Sequence, residues 1–190
     1  ATWQIKGIGT DGFEGHRVLG DLEGKYDFYC YLEDDLVIED PWFFTKLAWF
    51  SSHVGHDKLL QPNRFESGRH GFLQKAYLDG DIAESATARF QDVREQPVLE
   101  SQVLGRKVGF LRPLNPHSGC FFLNADQMRL WSQQPHFLAR DCSFIGPLES
   151  AATLGVMRTF KIYKPAAHSA DFLEVRHYGQ EYLQMITRPH

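Results

Sequence analysis

Three carboxylates in a row, Glu33-Asp34-Asp35, occupy the place in this sequence where chemistry is most readily expected. They directly follow Tyr26-Asp27-Phe28-Tyr29-Cys30-Tyr31-Leu32, an aromatic and apolar run that ends abruptly in acids, as a strand buried in a sheet does. In α/β sheets, ligands gather at the carboxyl ends of strands. Successive carboxylates there can hold a hard divalent ion through oxygen, and that ion can neutralise a diphosphate. With 24 acids in 190 residues, neighbouring carboxylates are usually a solvated turn, and only the position at a strand end sets this cluster apart.

Other kinds of chemistry find less support. Cys30, Cys120 and Cys142 form no CxxC pair, and one is left over under any disulfide scheme, so a reducing compartment is expected and a thiolate zinc site is not. His16, His53, His56, His70, His117, His136 and His190 show no HExxH spacing and read as surface or turn residues, His117 being the exception to watch because it opens a turn. Ser118 has no G-x-S-x-G context. Arg64, in Gln61-Pro62-Asn63-Arg64, could reach a phosphate or an acceptor, although an exposed arginine is the commoner case. The glycines of residues 1–25 have neither Walker nor Rossmann spacing and read as a loop-rich opening.

The elements around the acids can be traced in order. Asp40-Pro41 reads as an N-cap and N1 proline opening a well-buried helix from Trp42 to Phe50. Lys58–Gln61 reads as a strand closed by Pro62-Asn63-Arg64. From Glu66 to about Gly109 the pattern is polar and mixed, with helical potential near 81–94, and loops are expected. Pro116–Asn124 reads as a turn leading into a short apolar strand, and Ala125–Gln134 as a helix. A second helix is expected over Pro147–Gly155, with proline near its start and glycine at its end. Thr159–Lys164 alternates as a half-exposed strand before Pro165.

Composition bounds the function. The chain is 43% hydrophobic and 14% aromatic, which excludes disorder and low complexity. A net charge of −4, with no basic run longer than a pair, argues against nucleic acid or an anionic membrane surface as partner. No run of 18 apolar residues or signal-peptide pattern is present, so a cytoplasmic protein without a transmembrane segment, at most peripheral to the membrane, is expected.

Tyr31-Leu32-Glu33-Asp34-Asp35-Leu36-Val37 resembles the E-D-D variant of the "DXD" motif of GT-A fold glycosyltransferases. The resemblance covers roughly residues 25–180 at the level of motif order. It implies an α/β fold, a GT-A-like α/β/α sandwich with a mixed sheet, in one glycosyltransferase-like domain over residues 1–190, with a donor and metal part at about 25–65 and an acceptor part at about 110–180. It also implies Mn²⁺ or Mg²⁺ as cofactor, a nucleotide-sugar donor, and a hydroxyl-bearing acceptor that is a glycan, a lipid-linked group or a protein. Asp35 would be the metal ligand, with Glu33 and Asp34 beside the donor. His117-Ser118-Gly119 looks like the family's glycine-containing turn near the donor sugar. Gly146-Pro147-Leu148-Glu149-Ser150 looks like its acidic motif, making Glu149 the candidate general base, with Ser150 in place of the usual Asp. The late histidine that completes the metal site would be His177 or His168. Only 32 residues precede Glu33, where the family has two or three βα units, so the chain is expected to be either the carboxyl-terminal part of a larger enzyme or an abbreviated relative. The alternative function is a non-catalytic carbohydrate-binding or interaction module derived from such a domain.

Overall fold

A computed structural model describes residues 12–68 and 74–187. Gly7 and Gly9 of the glycine-rich opening, with His70 and His190, lie outside the described residues. In chain order the elements are α1 (Gly12–Asp21), β1 (Phe28–Leu32), β2 (Leu36–Val37), α2 (Phe43–Val54), β3 (Lys58–Leu60), β4 (Asn63–Ser67), β5 (Lys75–Tyr77), the single turn α3 (Glu84–Thr87), β6 (Val98–Val103), β7 (Arg106–Leu111), β8 (Cys120–Asn124), α4 (Ala125–Ser132), α5 (Pro147–Glu149), α6 (Gly155–Met157), β9 (Lys161–Pro165), β10 (Glu174–His177) and α7 (Glu181–Thr187). A π-helical turn, Ser150–Leu154, joins α5 to α6, and a 3-10 segment, Ala167–Phe172, links β9 to β10.

The class is mixed α/β. Among the described residues the strands divide into a β1-β8 pair, a β2-β10-β4-β5 sheet and a β3-β9-β7-β6 sheet, in place of the one mixed sheet expected. Both four-stranded sheets are themselves mixed: β10 runs parallel to β4 and antiparallel to β2, and β9 runs parallel to β3 and antiparallel to β7.

The period of two along a strand decides where the core sits. On β8, Cys120 and Phe122 face one apolar cluster while Phe121 and Leu123 face another. Leu60 and Leu59 on β3, and Tyr163 and Ile162 on β9, divide in the same way. Strands buried on both faces require helices on both. Phe43, Leu47 and Phe50 of α2 close the first cluster, and Met128 and Trp131 of α4 with Val156 and Met157 of α6 close the second. Edge-to-face rings fix the packing, Phe43 on Phe122 at 4.8 Å and Phe121 on Trp131 at 5.2 Å.

Several helix boundaries have local causes. Asn124 and Gln127 form a reciprocal capping box that starts α4. The Asp40 side chain accepts the Trp42 N–H at 2.8 Å in a turn ahead of α2, so the helix begins two residues later than the Asp-Pro signal suggests. Gly155, expected to end its helix, opens α6 instead; the Trp131 ring lies so close that a Cβ there would come within 3.1 Å of it, which accounts for the glycine.

Two regions differ from expectation. The opening read as a loop contains α1, held by His16, whose ring nitrogen lies 2.8 Å from the Ala151 carbonyl and whose ring lies 4.9 Å from Trp131. Tertiary contact here overrides the low helix propensity of glycine. The polar middle holds a hairpin, β6 on β7, whose outer strand alternates exposed and half-buried residues and so lacks an apolar run. Among the described residues no helix is long and apolar enough to cross a membrane.

Candidate functional site

The acids sit on a tight turn. Leu36 N–H donates to Glu33 O at 3.2 Å, Glu33 N–H donates to Gly119 O at 3.0 Å, and β1 thus ends against the start of β8. Gly119 has a φ of +63°, and a Cβ there would collide with Glu33 Oε2. Only glycine meets both conditions, so the Gly119 turn forms the floor under the Glu33 carboxylate.

Sheet register brings a distant residue to the same turn. β2 pairs with β10 so that Leu36 lies opposite His177, and the Tyr178 N–H donates to Asp35 O at 2.6 Å. The His177 Nε2 thereby stands 3.2 Å from Asp35 Oδ2. The parallel pairing of β10 with β4 continues the register, and Glu66 Oε1 lies 3.0 Å from His177 Nδ1. Glu66 is fully buried, and its Oε2 accepts the Leu183 N–H at 2.7 Å. Asp35 Oδ1 is a buried atom without a hydrogen-bond partner.

A second polar group lies behind the first. Arg64 on β4 reaches Asp79 at 2.8 Å and stands 3.8 Å from Glu33 Oε2. Lys164 on β9 reaches the other Asp79 oxygen at 3.1 Å and donates to His117 O. Burial alone would raise the Asp79 pKa, but Lys164 and Arg64 together outweigh it and hold the carboxyl below its ordinary value. Burial pulls Lys164 below an ordinary lysine even beside Asp79. The His117 imidazole, buried and 3.0 Å from Thr153 Oγ1, is drawn down to about 3, first by burial and then by the Arg64 charge, so it is neutral at physiological pH. Glu33 moves the other way: burial raises its pKa, Asp35 and Glu149 add to the rise, and Arg64 opposes it.

Glu149, half-buried at the end of α5, lies close enough to Glu33 for its charge to register there, and its Oε2 folds back over Gly146. Ser150 is fully buried; its hydroxyl donates to Phe144 O at 2.8 Å and accepts the Phe144 N–H at 3.1 Å. A carboxylate there would face the Phe144 carbonyl with no proton to give, which explains the serine. The bond also braces Ile145, which adopts a φ of +58°.

The predicted site residues therefore divide. Glu33, Asp35, Gly119 and His177 come together around one turn, Asp34 is exposed at its tip, and Glu149 is linked to them only by its charge acting on Glu33. His168 does not join them: it is exposed on the 3-10 segment, with its ring against Gly109 of β7. Arg64 is committed to Asp79 and Glu33 and is not a free surface cation. Glu66, Asp79 and Lys164 belong to no motif that the sequence displays. The alternation Arg64-Phe65-Glu66, one apolar residue between two charges, was the available sign that both charges share a face. Burial pushes the Cys30 thiol up to about 12 and raises the Cys120 thiol well above its ordinary value, which disfavours the thiolate at both.

Asp35 and His177 supply one hard oxygen donor and one imidazole, and among the described residues no group of three or more His, Cys, Asp or Glu side chains forms a metal cage. The unpartnered Asp35 Oδ1 fits a divalent ion bound through few protein donors, with substrate and water completing the shell. No family model, no curated protein and no solved structure matches the chain.

Proposed function

We propose that the chain is a metal-dependent glycosyltransferase unit of GT-A type, moving a sugar from a nucleotide-sugar donor to a hydroxyl acceptor. The observation that carries this reading is the meeting of Asp35 and His177 at 3.2 Å on the turn that ends β1, with an Asp35 oxygen left unpartnered. Asp35 and His177 would hold Mn²⁺ or Mg²⁺, which when bound offsets the charge that develops on a departing diphosphate. Glu33, seated on Gly119 and steadied by Arg64, faces the donor, and exposed Asp34 flanks it. Glu149 takes the acceptor proton. Because Ser150 is spent on Phe144, Glu149 is the member of that motif with a carboxylate to offer.

Calorimetry with UDP or GDP in the presence of Mn²⁺ tests the reading. The wild-type chain should bind the nucleotide only with the metal, and D35N should lose that binding. Nucleotide binding that is unaffected by D35N or by metal removal would sink the proposal. A glycan-binding chain that never turns over donor would favour the non-catalytic module.

A further inference from the structure

We infer that Glu66 is the positioning residue of His177: it accepts the Nδ1–H hydrogen bond and so leaves Nε2, on the Asp35 side, as the nitrogen able to bind a cation. The inference rests on the reading of Asp35 and His177 as metal ligands and adds a residue to which that reading assigned no role. An imidazole can coordinate only through an unprotonated nitrogen, and the hydrogen bond made by its other nitrogen selects which one that is. In this fold the two nitrogens of His177 face two different carboxylates, Nδ1 facing Glu66 Oε1 at 3.0 Å and Nε2 facing Asp35 Oδ2 at 3.2 Å.

The two acids differ in a way that assigns the proton. Glu66 is fully buried, and its second oxygen is fixed by the Leu183 N–H at 2.7 Å, so Oε1 cannot turn away from the ring. The Asp35 side chain is half-exposed and its buried Oδ1 has no hydrogen-bond partner, so this carboxylate has acceptor capacity that Glu66 lacks. Glu66 thus sets the tautomer and the ring plane, while Asp35 supplies the open side. β4 and β10 run parallel here, which puts Glu66 one step beyond the Arg176–Phe65 pair and level with His177.

The test uses Mn²⁺ alone as probe on the full chain labelled with ¹⁵N-histidine. In metal-free wild type, Nδ1 of His177 carries a proton. On titration Mn²⁺ broadens Nε2 before Nδ1. E66Q, whose amide cannot accept from both His177 and Leu183, requires about tenfold or more Mn²⁺ for the same broadening. Q180A loosens α7 by removing the Gln180 bond to Ser67 O without touching Glu66, and it keeps wild-type Mn²⁺ affinity. Equal affinity in E66Q and wild type overturns the inference and leaves the metal reading standing. An equal loss in Q180A also overturns it, since the effect would then be helix docking. A bare Nδ1 in wild type overturns it whether or not E66Q folds. Absence of broadening in wild type at millimolar Mn²⁺ overturns both the inference and the reading beneath it.

Discussion

Two polar groups lie side by side in this protein and are built on opposite plans. Around Asp79 each charged group is engaged by another: Arg64 and Lys164 share one buried carboxylate, and Lys164 also caps the His117 carbonyl. Around Asp35 the accounts stay open, with a half-exposed carboxylate, an unpartnered oxygen and an imidazole facing it. A closed set of buried charges serves the fold, because losing any member strands the others in low dielectric. An open set costs the fold little when changed and is available to a ligand. Arg64 belongs to both sets, since it reaches Asp79 with one edge and Glu33 with another.

Breaking the closed set should have the largest effect on stability. D79A leaves two buried cations facing each other and should cost about 3–5 kcal/mol in urea unfolding; a loss below about 1 kcal/mol would erase the distinction between the two sets. His117 gives a pH signature of the same region. Its folded pKa of about 3 lies below the 6.5 of the unfolded chain, so the unfolded state takes up a proton that the native state refuses. Stability is therefore full above pH 6.5 and falls as pH drops from 6.5 toward 3. Between pH 7 and pH 5 wild type should lose about 2 kcal/mol more than H117Q. Parallel pH profiles in the two proteins would refute the buried neutral imidazole. S150A, which frees the Phe144 N–H and carbonyl, should cost about 1–2 kcal/mol, and no change in melting temperature would show that the turn holds without it. D35N sits at the small end, within about 0.5 kcal/mol of wild type in unfolding, yet it should lose metal-dependent nucleotide binding. A strong destabilisation by D35N would place Asp35 with the closed set.

The elements legible in the sequence were those with a one-dimensional signature. The apolar run ending at Leu32, the strand before Asn124 and the capped helix after it carry their cause in adjacent residues. His177 beside Asp35 was one of two readings that the chain allowed, and only the β2–β10 register separates it from His168. Glu66 and Asp79 were not legible, because their partners His177 and Lys164 are brought by the parallel pairing of β10 with β4 and by the placement of β9. The helix α1 was hidden by its glycines, and the β6–β7 hairpin by a polar outer strand. In each case the deciding contact came from elsewhere in the fold.

The pairing of β2 with β10 also sets what the site depends on. Asp35 lies early in the described chain and His177 late, and they meet only through a two-residue strand. Their approach closes a long loop of the chain, so the donor pair depends on everything that packs between them. The ring contact of Phe121 with Trp131 joins segments much nearer in sequence and needs no such closure. The site is thus the part of the molecule most sensitive to the joining of distant segments, and it is complete only when β2 and β10 are paired.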